Sequence, residues 1–344
     1  MNPVPLSVII PNWNGVRYLA ECFDALLPQL PPHAEVLLVD NGSHDGSLEL
    51  VRERYPTVRV IALPSNLGFA GGVNVGLRAA RSDLMLLLNN DAFVDPGCIE
   101  HLLAAAEQHP DVGAFGLVLT FAHRPELVAS AGIRVRRDAL ALDLWPGCHV
   151  RDLPPEPQPI FGPSGGGVLY RRALLEDIGL LEPSFFSYLE DVDLAWRAQL
   201  RGWRSLVITT SSARHVYSAT GGEGSPFKQR LLGGNRLRTI VRCVPTVLLW
   251  RYLPQIVAYD ALAIGYAVLR RQPAIASGRL AALRDLPTLL AERQSIQARR
   301  TAPIDALERW LEPAGLPWQT LREQQQLAAI LAQRVPVQPR SLDA

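Results

Sequence analysis

Short apolar runs alternate with segments of helical spacing over the first hundred residues. Residues 6–10 (Leu-Ser-Val-Ile-Ile) form a run closed by Pro11, and residues 35–39 (Glu-Val-Leu-Leu-Val) form a second that ends at Asp40. Residues 58–63 and 84–88 continue the series, the last ending in Asn89-Asn90-Asp91. Runs of this kind read as buried strands. Between them, residues 18–27, 46–54, 71–80 and 96–109 carry helical spacing, and Pro96 opens the last, where a missing N–H costs little. The rhythm predicts an α/β fold with a parallel sheet and helices on its faces. Ligands bind at the C-terminal ends of the strands in such sheets. Asn12, Asn14, Asp40, Asn41, Asn89, Asn90 and Asp91 all fall just after a strand, which is the first functional signal.

Residues 146–163 are proline-rich and read as a loop, followed by Gly165-Gly166-Gly167. Helical spacing returns over 172–178 and 191–201, with a strand over 203–209. Beyond residue 221 the chain turns helical, basic and apolar. Residues 244–269 are strongly hydrophobic, but Arg251, Pro254 and Asp260 interrupt them. A membrane-spanning helix wants about 20 uninterrupted apolar residues, so a helix in the membrane interface or an ordinary packed helix pair fits better. The tail from Val335 reads as disordered.

Composition narrows the classes. Of 344 residues, 48% are hydrophobic and the net charge is +1, which excludes global disorder. Cys22, Cys98, Cys148 and Cys243 are far apart with no C-x-x-C pair, which fits a reducing cytoplasmic compartment rather than a disulfide framework. The N-terminus carries no basic stretch followed by an apolar one, so no secretory signal is expected. The near-neutral balance hides an asymmetry. Residues 225–300 hold thirteen Lys and Arg against three acids, a net of +10. That points to a polyanionic partner or to a solvated helical face. Single-stranded nucleic acid favours interleaved aromatic platforms, which the stretch lacks, so no nucleic-acid partner is expected.

Several segments carry candidate chemistry. Residues 66–74 (Asn-Leu-Gly-Phe-Ala-Gly-Gly-Val-Asn) open a helix with glycines that let backbone N–H groups approach a phosphate, or that serve a tight turn and close helix packing. Their place after the third strand excludes the dinucleotide fingerprint. Asp91 reads as a ligand for a hard cation or as a turn former. Glu190, Asp191 and Asp193 put three acids in four residues ahead of an apolar-periodic stretch. They suit a helix N-terminus, or a general base whose pKa is raised by crowding. His215 follows a strand among small polar residues and reads as structural or as a metal ligand.

In this order the segments resemble glycosyltransferase family 2 with the GT-A fold, and within it the rhamnosyltransferase-like branch. The resemblance runs from residue 6 to about 245. It rests on Ser-Val-Ile-Ile-Pro-Asn-Trp-Asn-Gly15, Val-Asp-Asn-Gly-Ser-His-Asp-Gly-Ser47, the segment ending at Asn74, Leu-Leu-Asn-Asn-Asp91, Glu-Asp-Val-Asp-Leu-Ala-Trp-Arg197, His215 with Ser218, and a distal Gly-Asn-Arg236. It implies a GT-A catalytic domain over 1–222, a helical region near acceptor and membrane over 223–334, and a tail over 335–344.

The resemblance also implies roles. Asn12, Asn14 and Asp40 would surround the base and ribose, Asn66, Gly72 and Asn74 would support the nucleotide-sugar and its diphosphate, and Pro11 and Asn90 would also bind the nucleotide-sugar. Asp91 stands at the last position of the family's D-x-D motif, with Asn89 in place of the first Asp, and would bind Mg²⁺ or Mn²⁺ with His215. Asp191 would be the base, supported by Glu190 and Asp193. Gly165, Gly166 and Gly167 would line the acceptor side, and Arg236 would face an acceptor diphosphate. The implied activity is inverting transfer of a sugar, with L-rhamnose from a dTDP donor the branch's suggestion. The acceptor would be a glycan or a polyprenyl-diphosphate-linked glycan in cell-surface polysaccharide synthesis. Residues 225–300 would touch the inner face of the membrane peripherally. Two other readings are an inactive GT-A scaffold and a sugar nucleotidyltransferase; the latter would carry a Gly-rich basic loop after the first strand, which residues 11–15 lack.

Overall fold

The computed structural model describes residues 5–216 and 225–315, together with residues 322, 323, 325, 327 and 329–331. Ser218 and the tail from 335 lie outside the described residues. The strands are β1 (Ser7–Asn12), β2 (Glu35–Asp40), β3 (Arg59–Ala62), β4 (Leu84–Leu88), β5 (Ala92–Val94), β6 (Val112–Phe121), β7 (Arg124–Ser130), β8 (Ile133–Arg136), β9 (Ala141–Asp143), β10 (Gln158–Pro159), β11 (Gly167–Arg171), β12 (Arg204–His215) and β13 (Leu311–Glu312). The helices are α1 (Val16–Leu26), α2 (Ser47–Arg54), α3 (Gly68–Ala79), α4 (Cys98–Gln108), α5 (Arg172–Ile178), α6 (Glu190–Arg201), α7 (Pro226–Cys243), α8 (Thr246–Leu269), α9 (Ala274–Arg284), α10 (Leu286–Ala298) and α11 (Ile304–Glu308).

The main sheet runs β3-β2-β1-β4-β11-β6-β12-β10. The alternation in the sequence accounts for its parallel half, in which β1 pairs with β2 and β4, and β2 with β3. The other half mixes directions, within the mostly parallel sheet expected of a GT-A fold. β11 inserts antiparallel between β4 and β6, β12 returns parallel to β6, and β7 pairs antiparallel with β6. Every residue of β1, β2 and β6 is buried. Alternate side chains of β1 therefore face different layers. Val8 and Ile10 pack with α1, α2 and α4, while Ile9 packs with α3, α5 and α6.

The helices after residue 225 share a core with the sheet domain. Val192, Ala195, Trp196 and Leu200 on α6 pack with Ile240 and Cys243 of α7, Leu248, Tyr252 and Ile256 of α8, and Leu307 of α11. Leu194 and Ala198 of the same helix face the opposite cluster. α6 is thus enclosed on both sides.

A charged lock secures it. Asp193, 0% exposed, accepts from Arg197 Nε and from Arg242 Nε on α7, each at 2.8 Å. Burial raises the Asp193 carboxyl, and the charges of Arg197 and Arg242 overcome that and hold it below its ordinary value. Arg242 also pairs with Glu182 at 3.1 Å and with Glu292 on α10. Removing one partner from a buried pair leaves an uncompensated charge and costs about 3–5 kcal/mol. Asp193→Ala is therefore expected to lose stability on that scale in urea denaturation. Arg54→Ala, which breaks an exposed 3.8 Å pair with Asp24, is expected to lose under ~1 kcal/mol. Equal losses would contradict the lock.

Candidate active site

The ends of β1 and β2 are held side by side by pairing of Asn12 with Asp40 across the strands. Asn12 Nδ2 donates to Asp40 Oδ1 at 2.8 Å and to Ser43 Oγ at 3.2 Å. Ser43 Oγ also accepts from the Asn14 backbone N–H at 2.9 Å, and Asn14 Oδ1 accepts from His44 N–H. Asn14 holds a left-handed backbone with φ 50°. Gly15 is required by close approach, since a Cβ there would stand 2.1 Å from Asn90 Nδ2 and 2.6 Å from Asn12 Oδ1. Those two atoms are hydrogen-bonded to each other at 2.6 Å.

Asn66 and Asn41 shape the start of α3. Asn66 Oδ1 accepts from Gly68 N–H at 2.8 Å and from Asn41 Nδ2 at 3.0 Å, and Asn41 Nδ2 also donates to Gly68 O. Gly72 faces Asn41, whose Nδ2 would lie 3.1 Å from a Cβ.

Asp91, in the turn between β4 and β5, and His215, the last residue of β12, are both buried. Their Oδ1 and Nε2 stand 3.1 Å apart, and Asn89 Nδ2 is 3.4 Å from the same ring nitrogen. Among the described residues no third His, Cys, Asp or Glu joins them. One carboxylate oxygen and one imidazole nitrogen suit a divalent cation whose other positions are filled by phosphate and water oxygens. The residues present fit such an ion.

The Gly165–Gly166 backbone spans from this pair to the acidic cluster. A Cβ at Gly166 would lie 3.5 Å from His215 Cε1, and one at Gly165 would lie 3.5 Å from Asp191 Oδ2. Gly165 N–H donates to Asp191 Oδ2 at 2.9 Å, and Gly166 O accepts from Asn89 N–H at 3.1 Å. Gly167 begins β11 opposite Leu88.

The three acids diverge. Glu190 is buried, its Oε2 has no hydrogen-bond partner among the described residues, and burial, then the charge of Asp191, push its carboxyl up to about 8. Asp191 is half-buried, and burial raises it as well. Backbone N–H bonds from Gly165 and Val192 act in the opposite sense. Those two N–H bonds favour the charge on Asp191, and burial favours the proton on Glu190. Asp193 is spent on the ion pairs described above.

Two expected site residues are not brought to this cleft. Asn74 is buried with both amide atoms committed to the backbone of Leu181, at 2.7 and 3.1 Å. It pins α3 to the chain ahead of α6 and supports a ligand only indirectly. Arg236 is buried on α7, where Nε donates to Asp260 at 3.1 Å, Nη2 donates to Asp138 O at 2.7 Å, and the guanidinium lies 4.4 Å from the Tyr259 ring centroid. An acceptor diphosphate would have to compete with those partners. Ser43 also joins the site; its signal is its place three residues after Asp40, whose Oδ2 accepts from the Ser43 N–H at 3.0 Å.

The glycosyl transferase family 2 model matches residues 7–179. The chain is 30% identical over 234 residues to the N-acetylglucosaminyl-diphospho-decaprenol L-rhamnosyltransferase of Mycobacterium tuberculosis, covering 62% of this chain and 75% of that protein. It is 30% identical to the O-antigen biosynthesis protein RfbC of Myxococcus xanthus, covering 62% of this chain and 17% of that protein. Among solved structures it resembles GalNAc-T7 with UDP, GalNAc and Mn²⁺, with a TM-score of 0.56, 18% identity, and coverage of 70% of this chain and 48% of that one. It also resembles the mannosyltransferase PcManGT of Pyrobaculum calidifontis in complex with GDP-Man and Mn²⁺, with a TM-score of 0.53, 19% identity, and coverage of 96% and 87%. The architecture is thus that of a GT-A glycosyltransferase. The chain belongs to glycosyltransferase family 2 and is similar to its rhamnosyltransferases.

The state of Glu190 has a measurable sign. An acid raised on folding binds its proton more tightly in the native state. Its contribution to stability is full below the unfolded value near 4.5 and is lost as pH rises through about 8. Stability is expected to fall between those values, and Glu190→Gln to flatten the fall, in urea denaturation from pH 5 to 9. An unchanged slope in the variant would place the proton elsewhere.

Proposed function

We propose that this glycosyltransferase inverts configuration, moving a sugar, L-rhamnose by its similarity to the mycobacterial enzyme, from a dTDP-type donor. The acceptor is a glycan or polyprenyl-diphosphate-linked glycan of a surface polysaccharide. The observation that carries the reading is the Gly165–Gly166 backbone, with Asp91 and His215 at one end and Asp191 at the other. Asn12, Asp40 and Asn90, with Ser43, offer a polar rim for base and ribose. Asn66 and the glycine-rich start of α3 would support the nucleotide-sugar and its diphosphate. Asp91 and His215 would hold Mg²⁺ or Mn²⁺, which when bound neutralises the charge that develops on the leaving diphosphate.

The chain's own chemistry is proton transfer at Asp191. A carboxylate oxygen of Asp191 takes the acceptor hydroxyl proton as the acceptor oxygen bonds to the anomeric carbon. The bond from that carbon to the diphosphate oxygen breaks on the opposite face, and the electron pair leaves with the nucleoside diphosphate. Protonated Glu190 adds no second negative charge beside the base.

The surface of α8 supports peripheral membrane contact at the cytoplasmic face. Leu248, Tyr252 and Ile256 form the inward stripe, whereas Trp250 is 69% and Leu269 85% exposed, with Val257, Leu262 and Val268 exposed between. α8 is long and apolar enough to cross a membrane by length and composition. Asp260 on it pairs with Arg236 of α7 and Arg279 of α9, which favours a helix lying on the surface. Exposed Arg270, Arg271 and Arg284 flank the apolar face and suit anionic headgroups.

Two kinds of test, one of the chemistry and one of the membrane contact, check the reading. Calorimetric titration of dTDP-, UDP- and GDP-sugars with Mn²⁺ is expected to find metal-dependent binding of one donor that Asp91→Ala abolishes. Asp191→Asn is expected to keep that binding while transfer falls by at least ~100-fold, the low end for losing a general base. A variant with normal turnover would remove Asp191 as the base, and absence of transfer and donor hydrolysis with every donor would favour the inactive scaffold. In the second test, the protein is expected to pellet with phosphatidylglycerol vesicles at low salt, and Trp250→Glu to weaken this. No pelleting would exclude peripheral attachment.

A further inference from the structure

Asn235, in the Gly-Gly-Asn-Arg segment of α7, is 0% exposed. Its Nδ2 lies within hydrogen-bond distance of three backbone carbonyls, donating to Phe185 O at 2.9 Å, Ser187 O at 3.0 Å and Tyr188 O at 2.8 Å. Its Oδ1 accepts from Arg238 Nη1 at 3.0 Å. These carbonyls belong to the segment directly ahead of Glu190 and Asp191. Three residues there with side chains hold positive φ, Phe186 at 61°, Tyr188 at 69° and Leu189 at 66°. Each is costly for a residue with a Cβ and persists only where its surroundings impose it.

The segment is wedged from the other side by the donor helix. Phe186 O accepts from Ala70 N–H at 3.1 Å, and the Phe186 ring lies 2.6 Å from where a Cβ of Gly68 would stand. Asn235 is fixed in turn by close contact of α7 with α9. A Cβ at Gly278 would lie 2.0 Å from Arg230 O, and one at Gly233 would lie 2.5 Å from Ile275 O.

We infer that Asn235 is a positioning residue for the transfer reaction. Its amide clamps the turn 186–189 so that α6 starts with Asp191 turned toward Gly165. The inference rests on Asp191 as the base. Misplacement of a reacting group by about 1 Å can cost 100-fold in rate, whereas among the described residues the Asn235 amide bonds to Phe185, Ser187, Tyr188 and Arg238 and to none of β1, β2 or β4.

The test is kinetic, using dTDP-L-rhamnose, or the donor selected by the binding titration, with a short-chain N-acetylglucosaminyl-diphospho-lipid as acceptor. Asn235→Asp keeps the shape and removes both donors, Asn235→Ala removes the amide, and Asn235→Ser keeps one donor. The expected result is a kcat about 10- to 100-fold lower for the Asp and Ala variants, with the Ser variant between them and the wild type. Donor KM and calorimetric donor affinity should stay within about threefold. If Asn235→Asp does not fold, the Ser and Ala variants decide by the same split. Folded variants with unchanged kcat would overturn the inference, as would parallel loss of fold, donor binding and rate in all three. Asp191→Asn in the same assay separates the two claims. If it stays active the base assignment fails, whereas an inactive Asp191→Asn beside fully active Asn235 variants removes only the clamp.

Discussion

Asp193 lies between two guanidinium groups with no access to water, and that contact organises the catalytic half of the molecule. A bare carboxylate in such a place would be driven neutral or the helix driven apart. Arg197 comes from its own helix one turn on, and Arg242 comes from α7, so the charge is compensated only while α7 stays against α6. Helical geometry does the rest. Residues 190, 193 and 197 fall on one inward face, whereas 191 is turned about 100° away. The same turn therefore supplies a neutral buried acid at Glu190, a half-buried carboxylate at Asp191 that reaches Gly165, and an ion-paired anchor at Asp193. Three adjacent acids acquire three states from where one helix points them.

Much of the donor half was legible in the sequence, for a physical reason. Strands buried on both faces must be nearly all apolar, so β1, β2 and β4 stand out as runs, and polar residues directly after them fall at one edge. Asn12, Asp40, Asn90 and Asp91 do meet there. The antiparallel portion was not legible, because the alternation that signals parallel crossovers is absent from residues 112–136. Without it, β6 to β9 have no helix between them to mark their ends. His215 lies 124 residues from Asp91, a separation across which residue types alone predict no contact, and family resemblance supplied the pairing.

The two site residues that shifted role share a cause. Asn74 and Arg236 are polar residues whose partners lie far along the chain, the backbone of Leu181 in one case and Asp260 with the Asp138 carbonyl in the other. A polar side chain in a sequence motif is as well suited to satisfying a buried backbone group as to meeting a ligand, and burial decides which. Asn235 shows the reverse. It sits beside Arg236, the residue expected to act, and its small amide reaches the turn ahead of the base while the longer guanidinium turns away to α8.

The basic stretch of residues 225–300 resolves along the same line. Arg236, Arg238, Arg242 and Arg279 are spent on Asp260, Asp285, Asp193, Glu182 and Glu292, and Arg293 donates to carbonyls of Val241 and Val244. Five of the thirteen cations are therefore internal mortar between helices. Arg270, Arg271 and Arg284 remain outward near the ends of α8 and α9, beside exposed apolar side chains. The helices that present this face are joined through Asp260 to Arg236, one residue from the amide that holds the turn before Asp191. Separating α8 from α7 would leave Arg236 and Asp260 uncompensated, so the charges taken inside hold the helices together.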